Sequence, residues 1–150
     1  TFWQSALDFI RNQLEAHQYI LPNDLKLMRL VHTAEEAVAE INQFYSNFHS
    51  SRWLTKDFVI RMKRPVSISA LQHIQQTFAD ICLSGSYVQQ GYEGFEHEDP
   101  KFSHLTCLSF AFSGRNQGRL RELIDFINLP QNWAEVDNGP GPVLSESVTR

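Results

Sequence analysis

Apolar residues recur at three- and four-residue steps along the first stretch of the chain. Trp3, Leu7, Ile10 and Leu14 predict an amphipathic helix whose stripe needs a partner surface. Pro22 suits the first turn of a short helix over 23–25, and residues 27–31 have the length and composition of a short strand. Thr33 and Glu36 form a T-x-x-E capping box, which starts a helix whose Ala37, Val38, Ile41, Phe44, Tyr45 and Phe48 share one face, read as core. From His49 the period changes. Residues 52–54 and 58–62 read as two strands joined by Thr55, Lys56 and Asp57, a hairpin. Pro65 stops the second strand and Ser67 caps a helix with the stripe Ile68, Leu71, Ile74, Phe78, Ile81 and Cys82, ending at Gly85 as a left-handed stop. A short strand is expected over 87–90. A loop with two glycines and four carboxylates follows over 91–100, then a strand over 105–112 with Leu108, Phe110 and Phe112 on one face. The last helix, 118–129, carries Leu120, Leu123, Ile124 and Ile127, with Pro130 beyond its end.

The change of grammar places a boundary at 49–51 and divides the chain into 1–50, 51–130 and a tail, 131–150. The Gly-Pro-Gly-Pro and scattered serines of that tail predict flexibility. The middle region reads ββαββα. That is an α+β order close to the ferredoxin-like or ACT-like plan, with the final strand missing or replaced by the first arm of the hairpin. The overall class is α/β. The chain opens at Thr1 directly on a helical pattern with no clear cap or preceding strand, as a piece cut from a longer protein would.

Composition narrows the function classes. With 42% apolar and 20% charged residues the chain belongs among ordinary globular domains. Seventeen acidic against thirteen basic residues give a net charge of −4, which argues against nucleic-acid or anionic-lipid attraction. No apolar run reaches membrane-spanning length and no signal pattern opens the chain, so no membrane is expected and the location is read as cytoplasmic. Cys82 and Cys107 lie in apolar stretches without metal or redox spacing and are read as buried reduced thiols.

One polar cluster could bind an anion: Ser113, Gly114, Arg115, Asn116, Gln117, Gly118, Arg119 and Arg121, at a turn from a strand into a helix. Free N–H groups and the helix dipole favour negative charge there, and Arg115, Arg119 and Arg121 would add charge-assisted hydrogen bonds. The same residues also serve any helix start and any solvated helix face. Arg61 and Lys63 alternate with Ile60 and Met62 and are assigned to an open, solvated side of the sheet. His97 and His104 accompany Glu93, Glu96, Glu98 and Asp99 in irregular spacing, so a solvated acidic loop is preferred to a metal site. No nucleophile motif is present, and no catalytic or metal-ligating residue is assigned.

The run Phe2-Trp3-Gln4-Ser5-Ala6-Leu7-Asp8-Phe9-Ile10, then Ile20-Leu21-Pro22 and Leu30-Val31-His32-Thr33-Ala34-Glu35-Glu36-Ala37-Val38, resembles the ending of the LOG family, also labelled lysine decarboxylase-like. His17-Gln18-Tyr19 departs from the usual glycine-rich approach. Phe44-Tyr45-Ser46-Asn47-Phe48-His49-Ser50-Ser51-Arg52-Trp53, Val59-Ile60-Arg61, Phe78-Ala79-Asp80 and Gly118-Arg119-Leu120-Arg121-Glu122-Leu123-Ile124-Asp125 are similar to the extension of longer bacterial members. The resemblance implies that 1–50 holds the terminal helices and last strand of a Rossmann-like domain. It further implies hydrolysis of the N-glycosidic bond of a nucleoside monophosphate by the whole protein, without metal or organic cofactor, and homo-oligomerisation through the Rossmann part. The family's P-G-G-x-G-T-x-x-E motif and its upstream arginine are absent from these residues, so the chain alone is expected to be inactive. Two alternatives stand beside this: an ACT-like module binding a nucleotide or small anion near Arg115, Arg119 and Arg121, and a dimerisation domain using Trp3, Leu7 and Ile10.

Overall fold

The computed structural model describes residues 1–92 and 99–135. It is a mixed α/β structure with four α-helices and a four-stranded antiparallel sheet. Helix α1 (Phe2–Phe9) runs into a π-helical turn (Ile10–Glu15), and a 3-10 turn (Asp24–Leu27) precedes α2 (Ala34–Phe44). Strands β1 (Phe48–Leu54) and β2 (Asp57–Met62) form the expected hairpin, each ending where the sequence pattern indicates but β1 beginning at Phe48 rather than Arg52 and β2 at Asp57 rather than Phe58. Helix α3 (Ile68–Thr77), β3 (Val88–Gly91), β4 (Thr106–Phe110) and α4 (Gln117–Ile127) complete the order. The sheet runs β1-β2-β4-β3 with every neighbouring pair antiparallel, so β2 and β3, joined through α3, lie on either side of β4.

The helix starts form for the expected reasons. Thr33 accepts from the Glu36 N–H at 3.1 Å, and the Glu36 carboxylate reaches back to the His32 N–H at 2.7 Å, one residue before the usual capping-box partner. Ser67 accepts from the Ala70 N–H at 3.1 Å, and Asn116 from the Arg119 N–H at 3.0 Å. Phe58, Ile60 and Met62 of β2 and Leu108 and Phe110 of β4 meet Ala70 and Ile74 of α3 and Leu120, Leu123, Ile124 and Ile127 of α4 in the main core. Burial of each large side chain there contributes roughly 1.5–3 kcal/mol before entropy is counted. Among the described residues, every buried member of this core lies at or beyond Phe48.

Several expectations are corrected. No strand forms over 27–31: Lys26 and Leu27 belong to the 3-10 turn, and the extended backbone from Met28 finds no strand to pair with among the described residues. The face read as core is divided: Phe48, now on β1, is buried and Phe44 packs on the core with Ala37 half-buried, but Val38 at 56%, Ile41 at 57% and Tyr45 are exposed, and Glu40 turns inward in their place. Helix α3 stops at Thr77, well before Gly85, because residues 81–83 swing onto the end of β4: the Leu83 N–H donates to Ala111 O at 2.7 Å, and Cys82 bridges Phe112. Gly85 does adopt a left-handed conformation, φ 81°, but in the following turn. Cys107 is buried as expected and Cys82 only half-buried.

The sheet face carrying Arg61 is not open. Tyr92 and Phe102 cover it and form a second small cluster with Val59, Cys107 and Leu54, so Arg61 is 7% exposed while Lys63 is exposed. Past α4, a 3-10 turn (Pro130–Asn132) brings Trp133 against Val66, its Nε1–H donating to Ile127 O at 2.9 Å, and the Ala134 N–H donates to Pro65 O. The start of the segment expected to be a flexible tail is therefore tied down, and 136–150 lies outside the described residues.

Candidate functional site

The polar cluster before α4 folds into a turn whose Gly114 has φ 72°, a conformation glycine accepts without penalty. Arg115 sits exposed in that turn. Arg119 and Arg121 stand two positions apart on the helix and therefore point to different sides. Arg119 donates from Nε and Nη2 to the two Asp80 carboxylate oxygens, each at 3.0 Å, and also to Glu122 and the Thr77 carbonyl, while its guanidinium lies 4.7 Å from the Phe78 ring centre. Arg121 donates to Glu40 of α2 at 2.6 Å and to Asp125 at 2.8 Å, and stacks 4.8 Å above the Phe44 ring. These carboxylates occupy the positions a bound anion would take. The hydrogen bonds from Arg119 hold the Asp80 carboxyl below the usual carboxylate range.

The first turn of α4 is closed as well. The Asn116 side chain takes the Arg119 N–H, and Gly118 lies directly under the Asn23 backbone. A β-carbon at 118 would come within 2.0 Å of Asn23 O, so only glycine allows the 3-10 turn to seat on the helix. Lys26 of that turn forms an ion pair with Glu122, and Arg29 meets Glu40 at 3.3 Å. Arg115, Asn116, Gly118, Arg119 and Arg121 thus form a capped turn and a fastening surface for residues 23–44.

A second polar centre gives no periodic signal in the sequence. Asn47 and Asn128, each 1% exposed, interlock where α2, β1 and α4 meet. Asn128 Oδ1 accepts from the backbone N–H groups of Asn47 (2.9 Å) and Phe48 (2.8 Å), and its Nδ2 donates to Phe44 O at 2.6 Å. Asn47 Nδ2 donates to the carbonyls of Arg64 and Ile127, and its Oδ1 accepts from the Arg64 N–H at 2.8 Å. The available sequence signal was positional: one asparagine stands just after the last apolar residue of a helix, the other just before a strand.

On the opposite sheet face the Arg61 guanidinium lies 4.4 Å from the Phe102 ring centre and 5.8 Å from that of Tyr92. Ser50 Oγ accepts from Arg61 at 3.3 Å and lies 2.9 Å from His49 Nδ1. Desolvation, then the charges of Arg61, Lys63 and His104, lower the pKa of His49. Asp99 pairs with Lys101 at 2.6 Å; His97, Glu93, Glu96 and Glu98 lie outside the described residues.

Two grooves border the opening segment. One, of about 280 Å³, is apolar and lined by Trp3, Leu7 and residues 28–31; the other, of about 540 Å³, lies between residues 29–31 and Glu36, Glu40 and Gln43 of α2. Among the described residues, every buried side-chain nitrogen and oxygen has a hydrogen-bond partner, and no group of three or more His, Cys, Asp and Glu side chains is placed to hold a metal ion. No helix among them is long and apolar enough to cross a membrane. Compared with known protein families, curated proteins and solved structures, the chain matches none.

Proposed function

We propose that this chain is the noncatalytic C-terminal portion of a LOG-like nucleoside monophosphate phosphoribohydrolase, in which α1 and the outer face of α2 pack against a Rossmann-like layer or a second subunit. The observation that carries this reading is the bare apolar surface of the opening segment. Trp3 is 66% exposed, Val38 and Ile41 of α2 are also exposed, and no residue of α1, the π-helical turn or α2 is buried. Faces of this kind are stable in water when another surface covers them. The quoted family residues supply the identity of that surface, and the missing glycine-rich motif assigns the chemistry to residues other than these. The sheet order favours a second reading for the region from β1 onward. In that reading β1 takes the place of the last strand of a ferredoxin-like or ACT-like plan, and such modules commonly serve as interfaces or small-ligand domains. A nucleotide or small anion near Arg115, Arg119 and Arg121 would compete with Asp80 and Glu40 for the two helix arginines.

Light scattering over a concentration series tests the packing role. The wild-type chain is expected to self-associate through its bare faces, and Leu7→Glu and Ile41→Glu are expected to render it monomeric while leaving the unfolding midpoint nearly unchanged. A wild type that stays monomeric at all concentrations and takes up no hydrophobic dye refutes the role, and adenine release from AMP by this polypeptide refutes the noncatalytic assignment.

A further inference from the structure

We propose that residues 23–44 form an arm held to the sheet-and-helix body by an ionic clasp, and that the arm can leave the body while the body stays folded. Three observations carry it. The main core is built from Phe48 onward, and of the arm only Phe44 packs against it, half-buried. The arm therefore contributes little to the cohesion of the body, and the body little hydrophobic hold on the arm.

Beyond Phe44 and the hydrogen bond its carbonyl accepts from Asn128, what joins them is charge. From the arm come Lys26, Arg29 and Glu40; from the turn after α3 comes Asp80; from α4 come Arg119, Arg121, Glu122 and Asp125. They make two chains of alternating sign, Asp80–Arg119–Glu122–Lys26 and Asp125–Arg121–Glu40–Arg29, and each crosses from body to arm once. Lys26, Arg29, Asp80 and Asp125 are about half or more exposed, so dissolved salt reaches the clasp as it does not reach the core. The contact between Gly118 and Asn23 is backbone on backbone, a fit without an apolar side chain to hold it.

The hinge is also present. Asn47 and Asn128 bind the chain to the body at the end of α2, Asn128 holding Phe44 O as well as the Asn47 and Phe48 N–H groups, so a released arm would pivot in the last turn of α2 rather than pull β1 from the sheet. An eleven-residue helix with no buried residue is marginal alone, so release should melt α2. This inference does not depend on the family reading above.

Residue-resolved amide exchange on the whole chain tests it. Raising NaCl from about 0.05 to about 1 M is expected to speed exchange in α2 roughly tenfold, with Val59, Ile60 and Leu108 of the sheet unchanged. Arg121→Gln is expected to do the same at low salt. Lys26→Glu alone should loosen α2, and the exchanged pair Lys26→Glu with Glu122→Lys should restore much of its protection. Insensitivity of α2 exchange in the wild type to salt overturns the clasp. Equal acceleration of α2 and the sheet, in salt or in the variants, overturns the separate release of the arm.

Discussion

Replacing Asn128 by alanine removes the centre of the junction between α2, β1 and α4. The substitution leaves the N–H groups of Asn47 and Phe48 and the carbonyl of Phe44 without their partner, at a site almost closed to solvent. Each buried group left unpaired costs about 1–3 kcal/mol. The three losses share one cavity, which a water molecule can partly rescue, so they do not simply add. The expected destabilisation is about 3–5 kcal/mol, a large part of the ~5–15 kcal/mol typical of a domain. At a urea slope of roughly 2 kcal/mol per molar, the unfolding midpoint falls by about 2 M. Asn128→Asp keeps both acceptor bonds but loses the donor to Phe44 O and sets a buried carboxylate oxygen against that carbonyl, so at neutral pH its loss should approach that of Asn128→Ala. Asn132→Ala, which removes one bond to Phe126 O from a half-buried side chain, should cost about 1 kcal/mol. Urea unfolding followed by circular dichroism ranks the three. A loss below about 1 kcal/mol for Asn128→Ala, with unchanged slope, refutes the assignment of the junction as a stabilising centre.

Two further outcomes follow from the same contacts. Gly118→Ala gains about 1 kcal/mol of helix propensity but drives a β-carbon into the Asn23 backbone, so amide protection at Lys26, Met28 and α2 should fall while the sheet keeps its own; a higher melting temperature with unchanged protection contradicts the close seating. The folded-state pKa of His49 is depressed, so the unfolded chain binds the extra proton first and stability declines as pH falls below about 6.5; urea midpoints between about pH 5 and 8 should show that slope, and His49→Gln should reduce it without altering stability above about pH 7.

Much of the secondary structure was legible because local chemistry decides it. Thr33 and Ser67 cap the helices they were expected to cap, and Leu108, Phe110 and Phe112 reach the core as alternation requires. The errors have one physical source: periodicity states that a face is apolar, not what lies opposite. Val38 and Ile41 carry the same signal as Ile124 and Ile127, yet only the latter meet a sheet. Arg61 was misplaced because the aromatic residues that cover it, Tyr92 and Phe102, come from an irregular stretch without a period. Arg119 and Arg121 read as anion ligands from their place at a strand-to-helix turn, and their carboxylate partners Asp80 and Glu40 are invisible there because they lie far away in sequence. The Asn47–Asn128 junction joins residues about eighty positions apart and was beyond any local reading.

The sheet ends at β1, and its outer side meets no further strand among the described residues. Alternate residues of this seven-residue strand turn their backbone donors and acceptors outward, a template for any extended chain that drifts alongside. The irregularity between Phe48 and Ser50 bends one end of this margin, and in the remaining run Arg52 is the one charged residue, with no proline beside it. In concentrated solution, unwanted fibrous growth should begin at this strip, and protective charges introduced for solubility belong there first.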